Sequence, residues 1–251
     1  MESYRDFARV YDEFMDQTPY DEWLLNILNI FKEYKIDKDT QVLDLGCGTG
    51  KMARKLAREG YQVTAVDNSM DMLEIAASEE DDHILYVLQD MVSLELPQQV
   101  DAAVSICDCM NYILEEEDLK EAFRRVREFL KEDGVFVFDM NSHYKYKEIL
   151  ACNTFAEDRE DASFIWDNFY DEEEMINEYD LTVFVQEEGD LFRRYCETHY
   201  QRAYSLETVR ALIEKAGMEV LAIYDAFTYN KPKPDSERVY FVAREHGKKT
   251  V

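Results

Sequence analysis

Three glycines at every second position, Gly46, Gly48 and Gly50, follow the apolar run Val42-Leu43-Asp44-Leu45 and precede Met52-Ala53-Arg54-Lys55-Leu56-Ala57-Arg58. Met52, Ala53, Leu56 and Ala57 keep helical spacing, so the unit reads as strand, glycine-rich turn, helix. Glycine serves where the backbone takes positive φ, or where a ligand must lie against the main chain with no Cβ between them. Asp44 stands two residues before the first glycine, and Asp67, Asp90, Asp108 and Asp139 follow later apolar runs. One carboxylate can accept from both hydroxyls of a ribose, which suits Asp67. Asp90, in the turn Gln89-Asp90-Met91, could accept from the exocyclic amine of an adenine. A dinucleotide fingerprint would carry its third glycine one place later, where this chain has Lys51.

These residues need strands to carry them. β-branched and apolar runs at 41–45, 61–66, 84–88, 100–106 and 135–138 alternate with helical patterns, and one acid falls at or just past each run. The helix after residue 115 repeats Leu119, Ala122, Phe123, Val126, Phe129 and Leu130 and is expected to stop at Asp133-Gly134. Ser69 is placed as an N-cap, with Asp71 in the first turn behind it. Alternation of this kind predicts a doubly wound, mostly parallel sheet with ligands beyond the carboxyl ends of its strands. A helix capped by Ser205 and ended by Gly217, then two strands closing as an antiparallel pair, brings the sheet to seven strands. The fold class is therefore α/β.

Two segments stand outside that alternation. Tyr4, Phe7, Val10, Tyr11, Phe14 and Met15 form a helical stripe, and a second helix is expected over 21–34. Residues 1–35 are read as a lid. Between 153 and 202 the pattern becomes an antiparallel meander, read as an insertion that caps a substrate, with 1–152 and 203–251 forming the main domain. In its last strand Arg193, Tyr195, Glu197, His199 and Gln201 share a polar face, either toward solvent or as the roof of a pocket.

Composition narrows the function classes. A net charge of −27 over 251 residues repels polyanions and disfavours nucleic acid as a partner. No apolar run reaches membrane-spanning length, and the first residues lack a signal-peptide pattern. Five cysteines without paired spacing suggest reduced thiols and a cytoplasmic protein. Cys107 and Cys109 lack the partners of a zinc site, and no metal is expected.

Together Asp44-Leu45-Gly46-Cys47-Gly48-Thr49-Gly50, Asp67-Asn68-Ser69-Met70-Asp71-Met72-Leu73 and Gln89-Asp90-Met91 resemble the class I S-adenosylmethionine-dependent methyltransferases. The opening Tyr4…Phe7-Ala8…Tyr11-Asp12…Met15 is similar to a group of small bacterial cytosolic enzymes of that class, and the meander is similar to that of amino-sugar and glycine methyltransferases. The general likeness covers 36–140 and 205–244.

The resemblance implies a cofactor, S-adenosyl-L-methionine, leaving as S-adenosyl-L-homocysteine. It also implies residue roles. Gly46 and Gly48 would bring backbone against the methionine portion, with Asp44 supporting the loop and the amino group and Cys47 small enough to fit. Asp67 would hold the ribose, and Asn68 or Met72 would pack near the adenine. Asp90 would meet the adenine amine, and Met91 a ring nitrogen through its backbone. Cys107 and Asp108 would line the methionine end, and Tyr11 would close over it.

Methyl transfer from a sulfonium is an in-line displacement, so positioning and desolvation dominate, and a base is needed only when the acceptor must lose a proton. Tyr11, Tyr112, His143 and His199 are the candidate bases or orienters. The expected partner is a small-molecule acceptor, and the chain a monomer or homodimer. Rival readings are an RNA methyltransferase working with a basic partner and a cofactor-binding regulator or assembly factor without turnover.

Overall fold

A computed structural model describes residues 8–248, so Tyr4 and Phe7 of the expected first helix lie outside them. The described chain opens with α1 (Ala8–Phe14) and α2 (Tyr20–Glu33). The predicted alternation follows as β1 (Gln41–Leu45), α3 (Lys51–Arg58), β2 (Gln62–Asp67), α4 (Met70–Ala76), β3 (Ile84–Leu88), β4 (Val100–Ser105), α5 (Glu116–Phe129) and β5 (Leu130–Asn141). A π-helical turn at Lys145–Leu150 leads into β6 (Thr154–Asp158), β7 (Ala162–Asp171), β8 (Ile176–Glu188) and β9 (Leu191–Arg202). α6 (Leu206–Lys215), β10 (Met218–Asp225) and β11 (Arg238–Glu245) complete it.

The seven-stranded sheet has the order β10-β11-β5-β4-β1-β2-β3. Strands β1 to β5 run parallel, while β11 is antiparallel to both β5 and β10. Central strands in such a sheet are covered on both faces, and Val42, Leu43, Leu45, Ala102, Ala103 and Val104 are all fully buried. One core packs α5 and α6 against one face, around Phe123, Phe136, Phe138 and Phe241. The other packs α2 and α3 against the opposite face, around Trp23, Phe31, Met52 and Leu56. Order reverses between β1 and β4, which puts the crevice beside the turn that follows β1.

Local signals behave as their chemistry dictates. The Ser69 hydroxyl accepts from the Met72 N–H at 3.3 Å and that of Ser205 from Thr208 at 3.0 Å, so both act as N-caps. α5 departs from expectation. It ends at Phe129 rather than at Asp133-Gly134, because fully buried Leu130 turns extended and enters the ladder opposite Val100.

The insertion is a four-stranded antiparallel sheet, β6-β7-β8-β9. Three strands were expected, and the short β6 pairing Thr154 with Asp167 is the addition. Val10 and Phe14 of α1 pack with Leu181, Val183, Phe164 and Trp166 on one face of this sheet. The same helix reaches the glycine turn, because the Thr49 hydroxyl donates to Asp12 Oδ1 at 2.6 Å and Lys51 Nζ donates to the Asp12 carbonyl at 3.1 Å. α1 thus ties the sheet insertion to the glycine turn.

Candidate active site

Gly46, Gly48 and Gly50 all have positive φ, at 75°, 53° and 78°. The turn is fixed from behind, where the Gly46 and Cys47 amides donate to the Val66 carbonyl at 2.8 and 3.0 Å. A Cβ at Gly46 would stand 2.7 Å from Cys109 Sγ, whereas one at Gly48 would meet no protein atom within 4 Å. Gly48 therefore presents bare main chain to open space. That space is a cavity of about 860 Å³ at the carboxyl ends of β1, β2 and β4.

Of the residues expected at a cofactor, Tyr11, Asp44, Gly46, Cys47, Gly48, Asp67, Asn68, Met72, Met91 and Cys107 line this cavity, together with Tyr112. Thr198 and Tyr200 reach it from β9. Asp67 accepts from the Gly48 amide at 2.8 Å on one oxygen and from the Ser69 amide at 2.9 Å on the other. Asp44 is buried, and its Oδ2 has no hydrogen-bond partner. Burial, then the charge of Asp67, push the Asp44 carboxyl up to about 7. Burial likewise raises Asp67, against the pull of its backbone amides.

Two expected residues sit elsewhere. Asp90 is exposed and outside the lining, because its carboxylate accepts from the Val92 amide at 2.7 Å and caps the short turn that carries Met91. Asp108 faces a second cavity, of about 730 Å³, rather than the glycine turn. The cause is the backbone. Cys107 and Asp108 both take positive φ (63° and 54°), an arrangement costly for side-chain-bearing residues. The Asp139 carboxylate holds it by accepting from both amides, at 3.3 and 2.7 Å.

Arg238 closes the arrangement. It donates to Asp108 Oδ1 at 2.6 Å and to Asp139 Oδ2 at 2.9 Å, with its guanidinium 5.4 Å over the Trp23 ring. Burial opposes ionisation of Asp108, but Arg238, Lys145 and a hydrogen bond from Gln201 together hold it below the usual carboxylate range. Gln201 Nε2 donates to Asp108 Oδ2 at 2.7 Å, while its Oε1 accepts from the hydroxyls of Tyr146, at 2.7 Å, and Tyr179. This polar hub joins β9 of the insertion to the loop after β4.

The second cavity lies under the insertion. Phe14, Trp23, Phe164, Trp166, Tyr179 and Phe227 give it an aromatic wall, and His199 and Gln201 descend from β9. At its inner end the face that sequence left between solvent and a pocket roof is therefore a roof. His199 is 3% exposed, and its Nε2 lies 3.1 Å from Glu197 Oε2. Its ring meets that of Tyr112 edge-on, 6.1 Å between centroids. His143 lines neither cavity. Its Nδ1 sits 2.8 Å from the Tyr170 hydroxyl, and the two rings pack edge-on.

Tyr11, Cys107 and Tyr112 line both cavities and mark where they meet. Tyr11 is also hydrogen-bonded to Tyr20 and to Cys107. Arg238, Lys145, Trp166 and Tyr179 were not anticipated. Their only sequence signal is polarity or bulk at a strand start (Arg238), inside the meander (Trp166, Tyr179) or in the segment before it (Lys145), which many structural positions share.

A doubly wound sheet with a bare glycine turn at its switch point and acids at its strand ends defines a nucleotide-cofactor protein. The comparisons refine that class. A methyltransferase-domain family model matches residues 42–134. A protein of Geobacillus sp. (strain WCH70), provisionally named a methyltransferase, is 37% identical over 246 residues, spanning 97% of this chain and 100% of its own. The crystal structure of a S-adenosylmethionine-dependent methyltransferase from Clostridium acetobutylicum superposes with a TM-score of 0.86 at 28% identity, covering 96% of this chain and 98% of that one. A sugar N-methyltransferase from Streptoalloteichus sp. shares the fold, with a TM-score of 0.81 at 18% identity over 98% and 97% of the two chains.

The chain belongs to the S-adenosylmethionine-dependent methyltransferases, and its cofactor is S-adenosylmethionine. The residues present fit that cofactor. Gly48 leaves open space against the main chain, and Asp44 Oδ2 is a buried acceptor in need of a donor such as an ammonium. Among the described residues no helix is long and apolar enough to cross a membrane.

Proposed function

We propose that this methyltransferase acts on a small molecule seated in the aromatic cavity beneath the antiparallel sheet. The observation that carries this reading is the shared wall at Tyr11, Cys107 and Tyr112, residues that line both the cavity with the glycine turn and the aromatic one. A cavity of about 730 Å³ is of the size that holds a small ligand. A sugar N-methyltransferase among the structural neighbours is in keeping with that size of acceptor. The net charge of −27 argues against a polyanionic acceptor.

When bound, the cofactor supplies a methyl group already activated on a sulfonium. The chain's own residues then position and exclude. Gly46 and Gly48 would lie along the methionine portion and Asp44 would meet its ammonium, while Asp67 would take the ribose hydroxyls. Asn68, Met72 and Met91 would flank the adenine, with Cys47 in the turn and Cys107 at the methionine end. Tyr11 closes the junction, and residues 8–35 serve as a lid while 153–202 cap the acceptor. Where the acceptor must lose a proton, His199 takes it, oriented by Glu197 and flanked by Tyr112.

The test is turnover. The purified chain with methyl-labelled S-adenosylmethionine is offered a metabolite extract and, separately, total RNA. Label and S-adenosylhomocysteine should appear with the metabolites, and His199→Ala should cut transfer while leaving S-adenosylhomocysteine affinity intact. Label in RNA would move the acceptor to that class. Tight cofactor binding with no turnover on either would mark a regulator.

A further inference from the structure

One half-buried lysine of the aromatic cavity has no carboxylate in contact with it. Lys145, at the start of the π-helical turn, lines the cavity, and its ammonium makes no hydrogen bond or ion pair with the described residues. Its backbone amide is satisfied by the Ser142 hydroxyl, at 3.1 Å. The contrast with its neighbours is informative. Lys147, two residues on and exposed, pairs with Glu172 at 2.5 Å, and Arg238 in the same cavity is paired with both Asp108 and Asp139.

A chain with 55 acids offers few obstacles to pairing a lysine, yet no described carboxylate comes within 4 Å of this one. A half-buried ammonium with no carboxylate in contact is only partly compensated, here by the more distant charges of Asp108 and Glu237. Burial and the neighbouring Arg238 charge both lower its pKa, against the attraction of Asp108 and Glu237. An anion arriving in the cavity would remove that penalty, because it supplies the Coulombic partner in a partly desolvated site.

We propose that the methyl acceptor carries a carboxylate or phosphate on an apolar body, and that Lys145 is the residue that binds this anion. The inference rests on the reading that the aromatic cavity holds the acceptor. Arg238 is a poor alternative, since it is committed to the two aspartates, and Lys233, which also lines the cavity, is exposed to water. His199 lies beside Glu197, whose charge repels an anion. The aromatic wall selects the body of the acceptor and Lys145 its charged end, with the methylated atom toward the Tyr11–Tyr112 junction.

The experiment uses four probes that share a phenyl body: benzoate, phenyl phosphate, benzamide and benzylamine. Each is titrated into the full chain saturated with S-adenosylhomocysteine and followed by saturation-transfer NMR, for wild type, Lys145→Met and Lys145→Arg. Benzoate or phenyl phosphate should bind about tenfold more tightly than the neutral and cationic probes, as one charge-assisted contact allows. Which of the two leads identifies the anion. Lys145→Met should erase the preference and Lys145→Arg keep it, with S-adenosylhomocysteine affinity unchanged in both as the check on folding. Equal binding of all four probes, or a preference that survives Lys145→Met, overturns the role of Lys145 and leaves the small-molecule reading standing. Binding of S-adenosylhomocysteine with no probe bound at all overturns both.

Discussion

The two cavities are made of different material. In the cavity beside the glycine turn the key surface is main chain, with three glycines at positive φ and the Asp67 carboxylate fastening the Gly48 amide. The aromatic cavity is made of side chains from α1, the loop after β4, the π-helical turn, the insertion and the segment before β11. What holds those pieces together is one buried hub, Arg238 between Asp108 and Asp139, with Gln201 hanging from it. A backbone-built site fails when a Cβ is added at a glycine. A side-chain-built site fails when its hub loses a charge.

Arg238→Met should therefore have the largest effect. It strands two carboxylates, one fully buried, without their counterion. Breaking a buried pair in this way costs on the order of 3–5 kcal/mol, to be read as a drop in urea unfolding free energy. An unchanged midpoint and slope would show that the aromatic cavity does not depend on this hub.

The glycine pair separates space from conformation. Gly46→Ala forces a Cβ to 2.7 Å from Cys109 Sγ at a φ of 75°. It should lose about 2–3 kcal/mol of stability, combining overpacking with backbone strain. Gly48→Ala has no protein atom to strike, so its stability loss should stay near the ~1–2 kcal/mol of a left-handed residue. Its S-adenosylhomocysteine affinity, by calorimetry, should nevertheless fall about tenfold or more. If Gly48→Ala binds normally, the ligand does not lie on that stretch of backbone.

Asp44 adds a pH signature. Its carboxyl is raised to about 7, so the folded chain holds a proton that the unfolded chain, with a pKa near the usual ~3.9, has released. Between about pH 4 and about pH 7 the folded state binds more protons, and this group's contribution makes stability fall as pH rises. A ligand ammonium at Oδ2 favours the carboxylate, so binding S-adenosylhomocysteine near pH 6 should expel up to about one proton. Calorimetry in buffers of different ionisation enthalpy reads that release. Asp44→Asn should abolish it and weaken binding about tenfold. Release that persists in Asp44→Asn would assign the proton to another group, Asp67 first.

The same contrast explains what could be read from the chain alone. Parallel strands, caps and the glycine turn are local patterns, since each depends on residues a few positions apart. The sheet with its closing antiparallel pair was legible for that reason, and so was the cavity beside Gly48. Arg238 and Asp139 are 99 positions apart, and their meeting follows from β11 lying antiparallel to β5 with Arg238 opposite Asn141. No spacing rule announces that. Asp108 misleads for a related reason. It stands just past a strand end like Asp67, but consecutive left-handed residues turn its side chain to the other cavity. His143 is polar and near a strand end too, yet an aromatic partner 27 positions on takes its ring nitrogen.

The smallest effect is the one that most sharpens the view of strand-end acids. Asp67 and Asp90 close adjacent parallel strands and look alike in sequence. Asp67 lines the cavity beside the glycine turn, and its two oxygens anchor that turn and α4. Asp90 is exposed, and its bond to the Val92 amide shapes only the turn carrying Met91. Removing such an exposed cap costs about 0.5–1 kcal/mol, and its effect on the cofactor passes only through Met91. Asp90→Ala should therefore shift S-adenosylhomocysteine affinity by less than about threefold, against about tenfold or more for Asp67→Ala. A loss at Asp90 equal to that at Asp67 would mean that its carboxylate swings onto the adenine amine when the cofactor binds, and the backbone-built cavity would then need a side chain to complete it.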